Sequence, residues 1–367
     1  MLSNNDYVYG FDIINDDELK KILNKTEKQE LKHRISPVYF FNSKKTRNTV
    51  RYHDSQNRLE VHENDVFDYR YEVVKKLGKG AFSNVYLCRD YKRNIQVAIK
   101  VIRNERRFHK QVNVEINLLD LLNTDKDYSP NVIRLLKSFD FRGDIFLVFP
   151  KFGIDLYSYY KNNEITEDDV KSFSYQIARG LDFIHSFFII HMDLKPENIL
   201  VKNNQLKIID FGSSFVEKPT MKKDYVQSRY YRAPDVVFGQ KTTTKIDIWS
   251  YGCIIYELAT KTPLIPARCS KDLVIYYCYI MGYPPEYMES VYGNTEYFNE
   301  ITRDLVSCQT IKGKFLYPKS FKWNYDNTVF KQLVLNCCLN WDSSKMLTAS
   351  EILEHPYFYD DDSSDEN

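Results

Sequence analysis

The chain has 367 residues, a formal net charge of +1, 43% hydrophobic residues and 7 cysteines. That length exceeds one small domain and suits a two-lobed protein with terminal extensions, while the near-neutral charge gives no general signal for nucleic acid or a membrane surface. The cysteines form no C-x-x-C pair, no apolar run approaches the roughly 20 residues that span a bilayer, and the first residues carry Asn and Asp in place of an apolar signal core, so a soluble protein of the cytoplasm or nucleus with reduced thiols is expected.

Residues 1–70 read as an extension. Asp16-Asp17-Glu18 ahead of Leu19-Lys20-Lys21-Ile22-Leu23 places acid before base, an order that predicts a helix from Asp16 through about His33. Ser36-Pro37 stops it, and the apolar Val38-Tyr39-Phe40-Phe41 needs a surface to dock on. From Tyr71 the pattern is strand-like and runs into Gly78-Lys79-Gly80, where two glycines let the backbone turn tightly and approach phosphates. Val97-Ala98-Ile99-Lys100 follows at the distance of one more hairpin. Glu115 lies in Val112-Asn113-Val114-Glu115-Ile116-Asn117-Leu118-Leu119, whose apolar residues recur at helical spacing. Phe146-Leu147-Val148-Phe149-Pro150-Lys151-Phe152 reads as a buried strand, and Leu156 to Ser186 is predominantly helical. His185, near its end, is given no chemistry.

The stretch Ile189–Gly212 organises the rest. Asp193 follows an apolar run, Asn198 comes five residues later, and Asp210 opens D-F-G after a second apolar strand. Ile199-Val201 and Leu206-Ile209, joined by Lys202-Asn203-Asn204-Gln205, predict a hairpin that gathers the three side chains at one end. One carboxylate there can accept a proton, while the other and the amide oxygen hold a hard cation. That equipment suits transfer of a phosphoryl group. The tail 359–367 is acidic and expected to be disordered.

This stretch resembles the catalytic loop and magnesium-binding segment of eukaryotic protein kinases, H-R-D-L-x-x-x-N followed by D-F-G. The resemblance implies an α+β, two-lobed fold: a small antiparallel β-sheet lobe with one helix over 71–152, and a larger, mainly α-helical lobe over 153–358. It implies Asp193 as base, Lys195 on the departing phosphoryl group, Asn198 and Asp210 as Mg2+ ligands, and Lys100 on the ATP phosphates with Glu115 as its partner. Leu77, Gly78, Gly80, Val85, Ala98, Phe149, Pro150, Phe152, Asp155 and Leu200 would line the nucleotide site, with Phe149 as gatekeeper. Pro150 offers its carbonyl to adenine although it lacks an N–H. Ser83 stands in place of the third glycine of G-x-G-x-x-G.

Asp224-Tyr225-Val226-Gln227-Ser228-Arg229-Tyr230-Tyr231-Arg232-Ala233-Pro234-Asp235 resembles the activation loop of the dual-specificity, tyrosine-phosphorylation-regulated kinases within the group of cyclin-dependent and mitogen-activated kinases. Val61-His62-Glu63-Asn64-Asp65 is similar to the box that precedes the catalytic domain there. The likeness covers about Val61 to Phe358 and implies a monomer that phosphorylates its own Tyr225 and then protein Ser/Thr followed by Pro. A phosphate of about −1.5 to −2 charges on Tyr225 would be clamped by Arg229 and Arg232, and Glu197 would contact a basic residue upstream of the acceptor. Met192 replaces the arginine of most kinases. A cyclin-dependent or mitogen-activated type of enzyme, and a pseudokinase scaffold, are the alternatives. Asp235 stands where A-P-E has glutamate, and Met346 where its arginine partner belongs. A buried charge stripped of its partner is costly, so Lys345 or water is expected to take over.

Overall fold

The computed structural model describes residues 9–17, 21, 23–39, 53–54, 59–80, 83–103, 105–220, 222, 226–288, 291, 297–298, 308–309, 315–316 and 321–359. The chain divides into two units, Met1–Asp120 with Arg134–Phe152, and Leu121–Ile133 with Gly153–Asn367.

The first unit is built on a six-stranded antiparallel sheet of order β1-β2-β3-β4-β6-β5. Its strands are β1 (Val66–Phe67), β2 (Tyr71–Lys79), β3 (Ser83–Asp90), β4 (Ile95–Ile102), β5 (Lys137–Phe141) and β6 (Asp144–Pro150). Side chains alternate across a strand. Tyr86, Cys88, Val97, Ile99, Val101, Phe146 and Val148 therefore fill one core. The opposite parity puts Val85, Ala98, Lys100 and Phe149 on the other face, where the register pairs Val85 with Lys100 and Ala98 with Phe149.

The extension departs from the single helix expected between Asp16 and His33. Among the described residues helices Gly10–Asn15 and Lys25–Lys32 are separate, Asp17 and Lys21 between them are also helical, and Leu23–Asn24 lie outside any helix. The reason is a capping box: the Asn24 side chain accepts from the Glu27 N–H at 2.9 Å, and the Glu27 carboxylate accepts from the Asn24 N–H at 3.1 Å. Charge order marks a helix end weakly, whereas an Asn-x-x-Glu cap satisfies two orphan backbone donors. Ile13, Leu23, Leu31, Val38 and Tyr69 make a second core, with Phe141 packed against it. Phe40 and Phe41 lie outside the described residues. Glu30 accepts two hydrogen bonds from the Arg142 guanidinium, at 2.9 and 3.0 Å, which ties the second helix to the β5–β6 turn.

The second unit is mainly helical. Helix Lys245–Thr260 is buried from Ile246 to Leu258, and Trp249 and Tyr251 are wholly enclosed. Helix Glu167–Ser186 opens with a Thr166–Asp169 capping box. A three-stranded sheet of order β10-β9-β7 joins Ile154–Asp155 (β7), Ile199–Lys202 (β9) and Gln205–Ile208 (β10), and the short β8 (Ile189–Ile190) pairs with Phe215–Val216. The β9–β10 hairpin closes Lys202 against Gln205. Its turn residues Asn203 and Asn204 both have positive φ, 49° and 57°. Such a turn matches the twist of the flanking strands, and asparagine tolerates the left-handed region better than most residues.

Candidate active site

The sheet of the first unit supplies one set of candidates. Lys100 lies between the buried Ile99 and Val101, and its Nζ donates to Glu115 Oε1 at 2.7 Å. Glu115, on helix Arg106–Asn123, is only 3% exposed. At that burial a lost partner leaves a stranded charge, so the pair fixes the lysine firmly. Val85, Ala98 and Phe149 are half-buried on the same sheet face as Lys100. Leu77 is 47% exposed at the end of β2, and the Gly80 N–H closes the glycine turn on the Ser83 carbonyl at 2.8 Å. Pro150 pairs with Val97 in the ladder, and Phe152 ends the unit. An apolar sheet face that carries one fixed cation suits a purine and its phosphates.

The second unit holds the acids. Asp247 is fully buried and braces the loop before Asp193: its carboxylate accepts from the His191 N–H at 2.7 Å and the Met192 N–H at 3.0 Å. That grip holds Met192 at φ 63°, a conformation uncommon outside glycine. His185, which carried no expected role, lies 3.1 Å from the same carboxylate. Asp193 is thereby presented to three partners. Lys195 Nζ is 2.6 Å from Oδ2, Asn198 Nδ2 donates to Oδ2 at 3.2 Å, and Ser228 donates to Oδ1 through its hydroxyl at 2.7 Å and its N–H at 3.1 Å. Hydrogen bonds to an ionised carboxylate are stronger than neutral ones.

Asn198 and Asp210 arrive at the same end of the β9–β10 hairpin, where Ile199 pairs with Ile208. The Ile209 N–H donates to the Asn198 carbonyl at 2.9 Å, and Asp210 follows at φ 66°. Phe211 is buried with its ring against His191, 5.3 Å between centroids. The Asn198 amide nitrogen is spent on Asp193, at the backbone carbonyl as well as the carboxylate, which turns its oxygen away. One carboxylate plus one amide oxygen is a small ligand set, suited to a metal that takes its other ligands from phosphate and water. Leu200 pairs with Asp155, whose carboxylate caps helix Leu156–Asn162 by accepting from Ser158.

Around the activation segment the placements are mixed. Tyr225 lies outside the described residues. Arg232 is 4% exposed and donates to the carbonyls of Val226 and Gln227, the two residues that follow Tyr225, at 2.9 and 2.8 Å. Arg229 donates to the Arg268 carbonyl at 2.6 Å. Glu197 is exposed beside Lys195. Two functional contacts had no sequence signal: Ser228 on Asp193, and Gln227, whose amide bonds Ile246, Ser250 and Ala233.

Of the two partners expected for Asp235, Lys345 needs correction. Lys345 Nζ goes to the Tyr287 hydroxyl at 2.6 Å and sits over its ring, while Ser343 Oγ donates to Asp235 Oδ1 at 2.9 Å. Among the described residues Asp235 Oδ2 has no partner, and burial pushes the carboxyl up to about 6. The buried Met346 leaves no cation where one would compensate it.

Comparison with known proteins agrees with this geometry. Residues 71–358 match the protein kinase domain family. The chain is 39% identical over 321 residues to the dual specificity tyrosine-phosphorylation-regulated kinase 3 of Homo sapiens, covering 80% of this chain and 54% of the relative. To the corresponding kinase 2 of Drosophila melanogaster it is 35% identical over 326 residues, 83% of this chain and 44% of the relative. A probable serine/threonine-protein kinase of Dictyostelium discoideum, dyrk2, is 36% identical over 321 residues, 83% and 34%. The chain spans about half the length of the curated relatives it matches first. It belongs to the protein kinase family, in the branch of the dual-specificity tyrosine-phosphorylation-regulated kinases.

Proposed function

We propose that this chain is an ATP-dependent protein kinase that phosphorylates its own Tyr225 and then serine and threonine hydroxyls of other proteins. The observation that carries the reading is the Asp193 carboxylate, held by Lys195, Asn198 and Ser228 so that its position is set before a hydroxyl arrives. Preset geometry is the main resource of phosphoryl-transfer enzymes, because the loose transition state asks for little covalent help.

ATP supplies the phosphoryl group; Asn198 and Asp210 would hold Mg2+, which would offset the charge of its phosphates. Lys100, fixed by Glu115, binds the α- and β-phosphates against the face formed by Val85, Ala98 and Phe149. Asp193 orients the acceptor hydroxyl and takes its proton, and Lys195 faces the charge that builds on the transferring group. Glu197 reads a basic residue upstream of the acceptor, and proline follows it. Arg229 and Arg232 would receive the phosphate on Tyr225, and the family name of the relatives supports tyrosine control. We place the protein, as a monomer, in the cytoplasm or nucleus, with proteins and not nucleic acid or membrane as its partners. Six described cysteines are unpaired, and among the described residues no helix is long and apolar enough to cross a membrane.

The test is incorporation of labelled phosphate by the purified chain, together with mass spectrometry of Tyr225. Phosphate on Tyr225 of the wild type, made with no other kinase present, and none on Asp193→Asn is the expected result. Absence of transfer from the wild type with ATP and Mg2+ would overturn the activity.

A further inference from the structure

A pocket of about 480 Å³ opens beside the catalytic loop, with Lys195 and Ser228, both in contact with Asp193, on its wall. It holds two carboxylates, Glu197 and Glu257. They are in opposite states. Glu197 is exposed and, among the described residues, makes no side-chain hydrogen bond or ion pair. Glu257 is 1% exposed, and both its oxygens are taken: Oε1 accepts from the Tyr160 hydroxyl at 2.6 Å and Oε2 from the Tyr231 hydroxyl at 2.8 Å.

The approach to Glu257 is also covered. Tyr160 is fully buried, and Lys161 lies over the rings of Tyr157 and Tyr160 at 5.5 and 5.4 Å, with its ammonium donating to the Lys261 carbonyl. A second cation entering there would have to break a charge-assisted phenol bond and sit near an existing positive charge. Resting on the kinase reading above, we infer that the pocket accepts one cationic side chain of the substrate, at Glu197, and that Tyr160 withholds Glu257 from acting as a second acidic subsite. Tyr160 is thus a positioning residue for specificity: it decides how many basic residues the enzyme counts.

The experiment uses the autophosphorylated full chain and peptides with one serine acceptor. They carry no arginine, a single arginine scanned over the upstream positions, or two arginines. For the wild type, the best single arginine should raise kcat/KM about tenfold, equivalent to about 1.4 kcal/mol, and a second should add less than about twofold. Glu197→Gln should erase the first gain and Glu257→Gln should leave it. Tyr160→Phe, which removes only the hydroxyl, should create a response to the second arginine of about fivefold. Each readout is a ratio within one variant, so partial loss of folded enzyme does not alter it. The inference falls if Glu257→Gln costs as much of the single-arginine gain as Glu197→Gln, or if the wild type answers a second arginine as strongly as the first. If the wild type phosphorylates none of these peptides and no Tyr225, the activity reading fails first and this inference with it.

Discussion

Asp193 and Asp235 stand near the two ends of one chain segment in the second unit, and their surroundings differ in kind. Asp193 is met by an ammonium, an amide and a serine that donates twice, at distances of 2.6 to 3.2 Å. Asp235 is 7% exposed, receives one serine hydroxyl and, among the described residues, leaves Oδ2 without a partner. The first arrangement aims a charge at a task; the second tolerates a charge that the fold would hold more easily as a neutral acid. A carboxylate is useful where its donors are plural and its face is open, and a liability where neither holds.

The contrast can be broken at either end. The largest effect is expected from Asp193→Asn, which should cut phosphotransfer by about 10²–10⁴-fold with little change in melting temperature; an equal loss of both would make Asp193 structural. Ser228→Ala removes a hydroxyl bond to a charged group, and about 1.5–3 kcal/mol should appear in kcat, with Ser228→Thr restoring most of it.

Asp235 should respond in the reverse sense. Its folded value of about 6 lies above the ordinary 3.8, so the folded protein binds the proton more tightly than the unfolded chain. The stabilisation is complete below the ordinary value and is lost as pH rises through about 6. Asp235→Asn should therefore raise stability at pH 7.5 by up to about 3 kcal/mol and flatten the pH dependence of denaturant melts between pH 4 and 7. A variant less stable than wild type at pH 7.5 would mean that a cation serves this carboxylate after all. Ser343→Ala should cost about 1 kcal/mol at neutral pH and steepen the same dependence.

Much of the second unit's site was legible because its signals are local. Asn198 and Asp210 flank one hairpin whose turn, Asn203-Asn204, announces itself, and Asp193 lies on the loop just ahead of it, so their closeness in the chain is readable without the fold. Lys100 and Glu115 are fifteen residues apart on a strand and a helix. Only the kinase resemblance could pair them. Ser228 reaches Asp193 across 35 residues and Ser343 reaches Asp235 across 108, and no periodicity encodes either contact. The Lys345 expectation failed for a related reason. Proximity in the chain to the missing arginine said nothing of Tyr287, which holds the ammonium at the surface.

The sheet of the first unit starts before the stretch that the kinase family covers. Val66 and Phe67 pair with Glu72 and Tyr71, and Tyr69 belongs to the core that Ile13, Leu31 and Val38 share. A truncated protein begun at Tyr71 would turn β2 into a bare rim, its amides open to any passing chain and Phe141 stripped of cover. Such a fragment should clump on expression, and anyone preparing soluble material is advised to keep the leading helices.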